Sequence, residues 1–199
     1  MDKIKLTKNE HKKQKDDLKR FERYLPTLFL KKQQIQAEIR GVENRADELA
    51  ARREEITANF ADWIGVFVDE GVFSPDILRI KQLMTTIDNI AGVDVPVFVD
   101  IEFEVAEYDL DEKPLWLDYA IEYMKAEIML EMELKWVREQ ERLLRNELRV
   151  TTQRVNLFEK VKIPEAKANI KKIAVYLGDQ QAAAVVRGKI AKRGMENTG

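Results

Sequence analysis

The sequence contains no cysteine and a single histidine, His11. The first absence removes disulfides, thiolate metal sites and thiol nucleophiles. The second removes any site that needs two imidazoles. Chain breakers are also scarce, with eight Gly and five Pro in 199 residues, so long helices joined by few turns are expected. No window approaches 18 consecutive apolar residues, which excludes a bilayer-spanning helix. The first ten residues, rich in Lys, lead into no apolar stretch of the secretory-signal kind. The expected location is therefore the cytoplasm, with no direct membrane insertion. Neither sign of charge dominates: 34 basic residues face 36 acidic ones, for a formal net charge of -2. That balance argues against a globally basic nucleic-acid binder. What the chain has in abundance is charge of both signs, 35% of residues, beside 45% apolar residues. Such a composition fits neither a disordered chain nor a membrane protein.

The apolar residues are periodic. Alternate steps of three and four from Leu18 reach Phe21, Leu25, Leu28, Lys32, Ile35, Ile39, Val42, Ala46, Leu49, Arg53, Ile56, Phe60, Trp63 and Phe67. All but Lys32 and Arg53 are apolar, the signature of a left-handed coiled-coil seam. The pattern predicts a helix from about residue 10 to about residue 68, on the order of 85 Å long, and hence an elongated molecule. Pro26 falls inside it and is expected to kink or shorten the helix. A second set of seams runs Leu117, Ile121, Met124, Ile128, slips by one residue, and continues Leu130, Leu134, Val137, Glu141, Leu144, Leu148, Thr151, Val155, Phe158. Beyond Pro164, where a bend or restart is expected, a third stretch steps through Ala166, Ile170, Ile173 and Leu177. Two long amphipathic helices in one chain satisfy each other by folding back as an antiparallel coiled coil. The termini then share one end and the middle of the chain forms the other.

Residues 71–114 break this pattern, holding Pro75, Pro96, Pro114, Gly71 and Gly92. From Val93 the chain alternates: Val93, Val95, Val97, Val99, Ile101, Phe103 and Val105 fall on one face of a strand, with Asp94, Asp100, Glu102 and Glu104 on the other. Part of 77–90 is the expected antiparallel partner, with the turn at Ala91-Gly92, while Ser74-Pro75-Asp76 offers a helix start as the alternative for the same stretch. The fold class is thus mainly α: a long antiparallel two-helix coiled coil from the N- and C-terminal regions, with a small β-hairpin insertion in the middle. The expected domains are an N-terminal coiled-coil helix (1–70), a hairpin region (71–114), and a C-terminal helix with a basic tail (115–199).

Charge is segregated along the chain. Residues 88–112 hold nine acidic and no basic residues, whereas residues 1–20 hold eight basic against four acidic, and 187–199 four against one. Such blocks often only solubilise a surface; here they also mark two ends suited to different partners. No catalytic constellation emerges. Arg187-Gly188-Lys189-Ile190 lacks the upstream Gly and following Ser or Thr of a phosphate loop. Asp109, Asp111 and Glu112 lack the Gly and terminal Glu of a calcium loop. His11 reads as a surface residue, and Trp63, Trp116 and Trp136 fall on or beside the seams. No cofactor, metal or nucleic-acid partner is expected.

Three blocks carry a family resemblance: Leu6-Thr7-Lys8 with Leu28-Phe29-Leu30-Lys31-Lys32-Gln33-Gln34; the run from Thr151 through Thr152, Arg154, Val155 and Asn156 to Pro164; and the tail Arg187-Gly188-Lys189-Ile190-Ala191-Lys192. The second is the most specific, because no heptad demands Thr-Thr-x-Arg-Val-Asn. The sequence resembles the D subunit of the V/A-type rotary ATPases over nearly its whole length. The stretch 89–98 looks like the hairpin region of bacterial members, while Pro26 departs from the family pattern. The resemblance implies a non-catalytic central stalk, or rotor shaft. Such a shaft couples ATP hydrolysis or synthesis in a hexamer of A and B subunits to rotation of the membrane ring and to proton or sodium transport. It implies a hexamer-facing terminal end, for which the basic residues Lys12, Lys13, Arg187, Lys189, Lys192 and Arg193 are the candidates. It also implies an outer hairpin end, with Val95, Val97, Val99, Ile101 and Phe103, near the small F subunit and the funnel-shaped subunit that seats the shaft on the ring. The competing reading is a static antiparallel coiled-coil scaffold or adaptor.

Overall fold

The computed structural model describes residues 4–61, 77–108 and 116–196. Helix α1 (Lys8–Ala61) is followed by strands β1 (Leu78–Ile90) and β2 (Val93–Val105), helix α2 (Trp116–Leu157), a π-helical turn (Phe158–Lys162) and helix α3 (Ile163–Glu196). The chain is mainly helical, with one antiparallel hairpin between its long helices, as the periodicity predicts. Trp63, Phe67, Gly71, Pro75, Pro114, Asp109, Asp111 and Glu112 lie outside the described residues. Two compact units form, one from residues 33–149 and one from residues 1–32 with 150–199.

Helix α1 starts where local chemistry sets it. Thr7 Oγ1 accepts a hydrogen bond from the Glu10 amide at 3.3 Å, and the Thr7 carbonyl accepts one from His11 N at 2.9 Å. Thr7 followed three residues later by Glu10 is the capping-box pattern. Pro26 neither ends nor shortens the helix, which runs unbroken on both sides of it. One missing N–H is tolerated where more than 50 residues share a single ladder.

In the unit of residues 33–149, the two seams bury each other. Ile35, Ile39, Val42, Ala46 and Leu49 from α1 and Leu130, Leu134, Val137 and Leu144 from α2 form one apolar cluster. Removing each larger side chain from water contributes roughly 1.5–3 kcal/mol. The antiparallel sense is recorded by ion pairs: Arg53 meets Glu127, Arg45 meets Glu133, and Glu43 meets Arg145, so α2 numbers rise as α1 numbers fall. Arg53, a polar intruder in the apolar seam, is accommodated this way. Its guanidinium donates to Glu127 at 2.5 Å and lies 3.8 Å from Glu131.

The hairpin turn is tight. Ala91 (φ 52°) and Gly92 (φ 77°) both take positive φ, as a two-residue turn matched to strand twist requires. Asn89 Oδ1 accepts the Gly92 amide at 3.1 Å. For Ala91 the left-handed conformation is unfavourable, but Ala91 packs with Ile90 and Val93 against the helical core. The strands pair from Ile90↔Val93 to Leu78↔Val105, with irregularities between Ile80/Gln82 and between Met84/Thr85. These set Lys81 on β1 and Val99 on β2 outside the one-to-one pairing, as bulges do.

Two sequence expectations are corrected here. Val99 does not share the buried face of Val95 and Ile101; it is 55% exposed, because the bulge turns it out. Nor does the hairpin simply form an end of its unit. Its turn lies back along the helices, and Gln140 Nε2 of α2 donates to the Pro96 carbonyl at 2.7 Å. The hairpin thereby gives α2 a second partner. This is why α2 buries Gln140 alongside the seam itself. At the hairpin base, Ile77, Leu117 and Ile121 make a smaller core with Leu78, Val105 and Tyr108.

In the second unit, Thr151, Val155, Ala166 and Ile173 are buried. Phe158 and Ala166 are eight residues apart, one more than a heptad, which would carry Ala166 about 80° out of phase on a regular helix. The π turn takes up that extra residue: the Ile163 amide bonds to the Phe158 carbonyl, five residues back. Pro164 follows directly, inside α3. The expected bend or restart is thus a wide turn in a continuous helical run. Phe21 and Phe158 pack with ring centroids 5.2 Å apart, and Glu22 pairs with Lys167 at 3.1 Å.

Candidate functional site

Among the described residues no group of three His, Cys, Asp or Glu is placed to hold a metal ion, and no helix is long and apolar enough to cross a membrane. The functional candidates are therefore surfaces, and the structure places the three sets of residues differently.

The basic set is exposed throughout: Lys12 and Lys13 on α1, and Arg187, Lys189, Lys192 and Arg193 on α3. They do not form one patch. Gln14 is level with Asn169, whose Nδ2 lies 3.4 Å from Gln14 Oε1, and α1 begins only six residues earlier, at Lys8. Helix α3 continues to Glu196, far past the start of its partner. At 1.5 Å per residue, Lys189 lies on the order of 25 Å beyond the level of Lys12. Every residue from Gly178 to Arg193 is exposed. Among the described residues no other element packs on the α3 tip within its unit, and it carries apolar side chains outward: Val185, Val186 and Ile190 are 59, 55 and 66% exposed.

The motif set lies where α2 enters the π turn. Thr151 and Val155 are buried at 1 and 3% exposure, Thr152 is half-buried, and Arg154, Asn156 and Pro164 are exposed. One polar and one apolar member therefore serve the seam, while Arg154 and Asn156 face outward.

The hairpin set turns mostly inward. Val95 and Ile101 are buried, Val97 and Phe103 half-buried, and of the five only Val99 is exposed. The outward apolar residues are instead on β1: Ile80, Leu83, Met84 and Ile87, with Ile87 76% exposed. Spacing alone offers little sign of them, because 78–90 lacks the alternation that marks β2. Around them, Lys81 Nζ donates to Glu102 at 2.5 Å, and that bond raises the lysine pKa. Tyr108 donates to Asp118, which raises the phenol pKa.

The sequence model of the family described as the ATP synthase D subunit matches residues 10–193. A protein named as the D subunit of a V-type ATP synthase, from Borreliella burgdorferi, is 53% identical over 192 residues, 96% of this chain and 95% of its own. Proteins of the same name from Chlamydia abortus and Chlamydia muridarum are 36 and 37% identical, covering 96% of this chain and 92 and 95% of their own.

Proposed function

The chain belongs to the ATP synthase D-subunit family, which makes it a stalk component of a V-type rotary ATPase, and from that premise we propose that it is the central rotor shaft. In this reading the α3 tip enters the hexamer of A and B subunits. The hairpin side meets the F subunit and the funnel-shaped subunit that seats the shaft on the membrane ring. Hydrolysis or synthesis of ATP in the hexamer is then coupled through rotation of the shaft to proton or sodium movement. The chain itself carries no catalysis and sits at the membrane only as part of the complex.

The observation that carries this reading is the α3 tip. A stretch of exposed residues from Gly178 to Arg193 with outward Val185, Val186 and Ile190 is costly to leave in water and calls for a lining around it. Arg187, Lys189, Lys192 and Arg193 add a positive collar suited to acidic loops of such a lining. A shaft must also be unlike on its different sides, so that three equivalent catalytic interfaces meet three different faces. Each angle then stabilises a different nucleotide state, which is a coupling between angle and affinity. Two unlike helices meet that condition.

The test uses the absence of native cysteine. A bead is attached through Glu107→Cys in the complex reassembled with A/B hexamer, and rotation is followed during ATP hydrolysis. Stepwise rotation is expected. Stable binding without rotation would return the chain to a static scaffold. Replacing Lys189, Lys192 and Arg193 together by Gln is expected to weaken assembly or torque; unchanged ATPase and torque would count against the collar.

A further inference from the structure

Hairpins of this kind have two edges, and among the described residues only one is occupied. The β2 edge faces α2, because the Pro96 carbonyl accepts from Gln140. In a strand the N–H and C=O of one residue point to the same side, so the missing N–H of Pro96 also falls on the α2 side, where no ladder bond is lost. Ile87 is paired with Pro96. Its own N–H and C=O therefore point away from β2, to the outer edge of β1. The two-residue turn gives the same answer independently: Ile90↔Val93 closes it as a hydrogen-bonded pair, which makes Ile87↔Pro96 a pair of the other kind. Thr85 and Asn89 share the orientation of Ile87 by the period of two.

No strand of the described residues covers this edge, and residues 79–89 are exposed without exception. One end is blunted by Arg79 and by Lys81 at its bulge. Residues 82–87, Gln-Leu-Met-Thr-Thr-Ile, carry no charge, no Pro and no Gly, the composition of an edge that recruits another strand. Leu83, Met84 and Ile87 flank it. The surrounding surface is acidic: Asp88, Asp94, Asp100, Glu102 and Glu104 are all exposed, against Arg79 and Lys81.

We propose that the outer edge of β1, over residues 82–89, pairs in the assembled rotor with an extended segment of a partner subunit. That segment carries apolar side chains with interspersed Lys or Arg, and it completes a three-stranded sheet. Main-chain hydrogen bonds to Thr85, to Ile87 and to the carbonyl of Asn89, whose own amide donates to Asp88 Oδ1, supply affinity, and the basic side chains reaching the carboxylates of β2 supply selectivity. The inference rests on the shaft reading for its setting.

The test is amide hydrogen exchange of the chain alone and within the complete reassembled complex. On assembly, the amides of Thr85 and Ile87 are expected to slow at least about tenfold, while Thr86 and Asp88, already bonded to β2, change little. Ile87→Lys, at a largely exposed position, is expected to abolish that slowing at Thr85 with the fold intact by circular dichroism. Ile87→Pro, which removes one outward N–H, is expected to do the same; if it fails to fold, the lysine variant decides. Assembly without slowing overturns the strand pairing and leaves the shaft reading standing. Equal slowing of inward and outward amides shows coverage by something other than a strand and also overturns it. Slowing in the isolated chain that grows with concentration assigns the edge to a second copy and overturns the proposed partner. Failure to join the A/B hexamer at all overturns both readings.

Discussion

The α1 seam runs through both units of this chain on one heptad pattern and is buried to different depths in them. In the unit of residues 33–149, five consecutive α1 seam positions from Ile35 to Leu49 are buried. In the other, Leu18, Phe21, Leu25 and Leu28 reach only half-burial, and the α3 tip is exposed altogether. The sequence periodicity does not distinguish them. The C-terminal helices of that unit still bury Thr151, Val155, Ala166 and Ile173, so the difference lies on α1, where the number of walls changes. Two helices cover only a narrow stripe on each other, whereas the deeper unit gains a third wall from the hairpin, with Ile90, Ala91 and Val93 laid against the helical cluster. A heptad seam thus states which face is buried, and the count of neighbouring elements states how deeply.

Substitutions at matched seam positions test this contrast most strongly. Leu49→Ala, at 8% exposure, is expected to cost about 3 kcal/mol, and Leu28→Ala, three heptads earlier and half-buried, about 1 kcal/mol, in urea unfolding. Equal losses would mean that the third wall adds nothing. A smaller effect is expected at the bond that holds that wall in place. Gln140→Ala leaves the Pro96 carbonyl without its donor and should cost about 1–2 kcal/mol. It should also speed amide exchange in the hairpin more than in α1; uniform acceleration would show that the bond is incidental to hairpin docking. The smallest effect is expected in the shallower unit. Deleting Val161 removes the extra residue that the π turn absorbs, so Phe158 and Ala166 fall a heptad apart on a regular helix. Stability should change by less than about 1 kcal/mol. Deleting Val137 instead, where no wide turn takes up a change of phase, should destabilise the chain severely. A large loss from the Val161 deletion would show that the π turn serves something other than phase.

Much of the fold is legible in the sequence because period is a local property. Every described position of the first seam, Lys32 and Arg53 included, is buried or half-buried. The hairpin turn is legible from Ala91-Gly92 and from the alternation of β2. The eight-residue step from Phe158 to Ala166 is also present in the sequence, but whether it means a break or a wide turn depends on whether the downstream face has to meet the same partner. The exposure of Val99 leaves no trace in the alternation, because a bulge depends on the pairing of two strands. The candidate surfaces are legible only in part. Basic residues at both termini suggest one patch, yet their separation is set by where α1 begins relative to where α3 ends. The apolar edge of β1 carries no pattern of its own.

Helices, their buried faces, the hairpin turn and the kinship with the D-subunit family all follow from the order of the residues, because period, turn chemistry and motif are properties of neighbours along the chain. The depth of the core, the outward bulge at Val99, the exposed α3 tip and the exposed outer edge of β1 arise only once the elements are packed. Each of those depends on which element lies opposite, and a partner distant in sequence leaves no mark on local spacing.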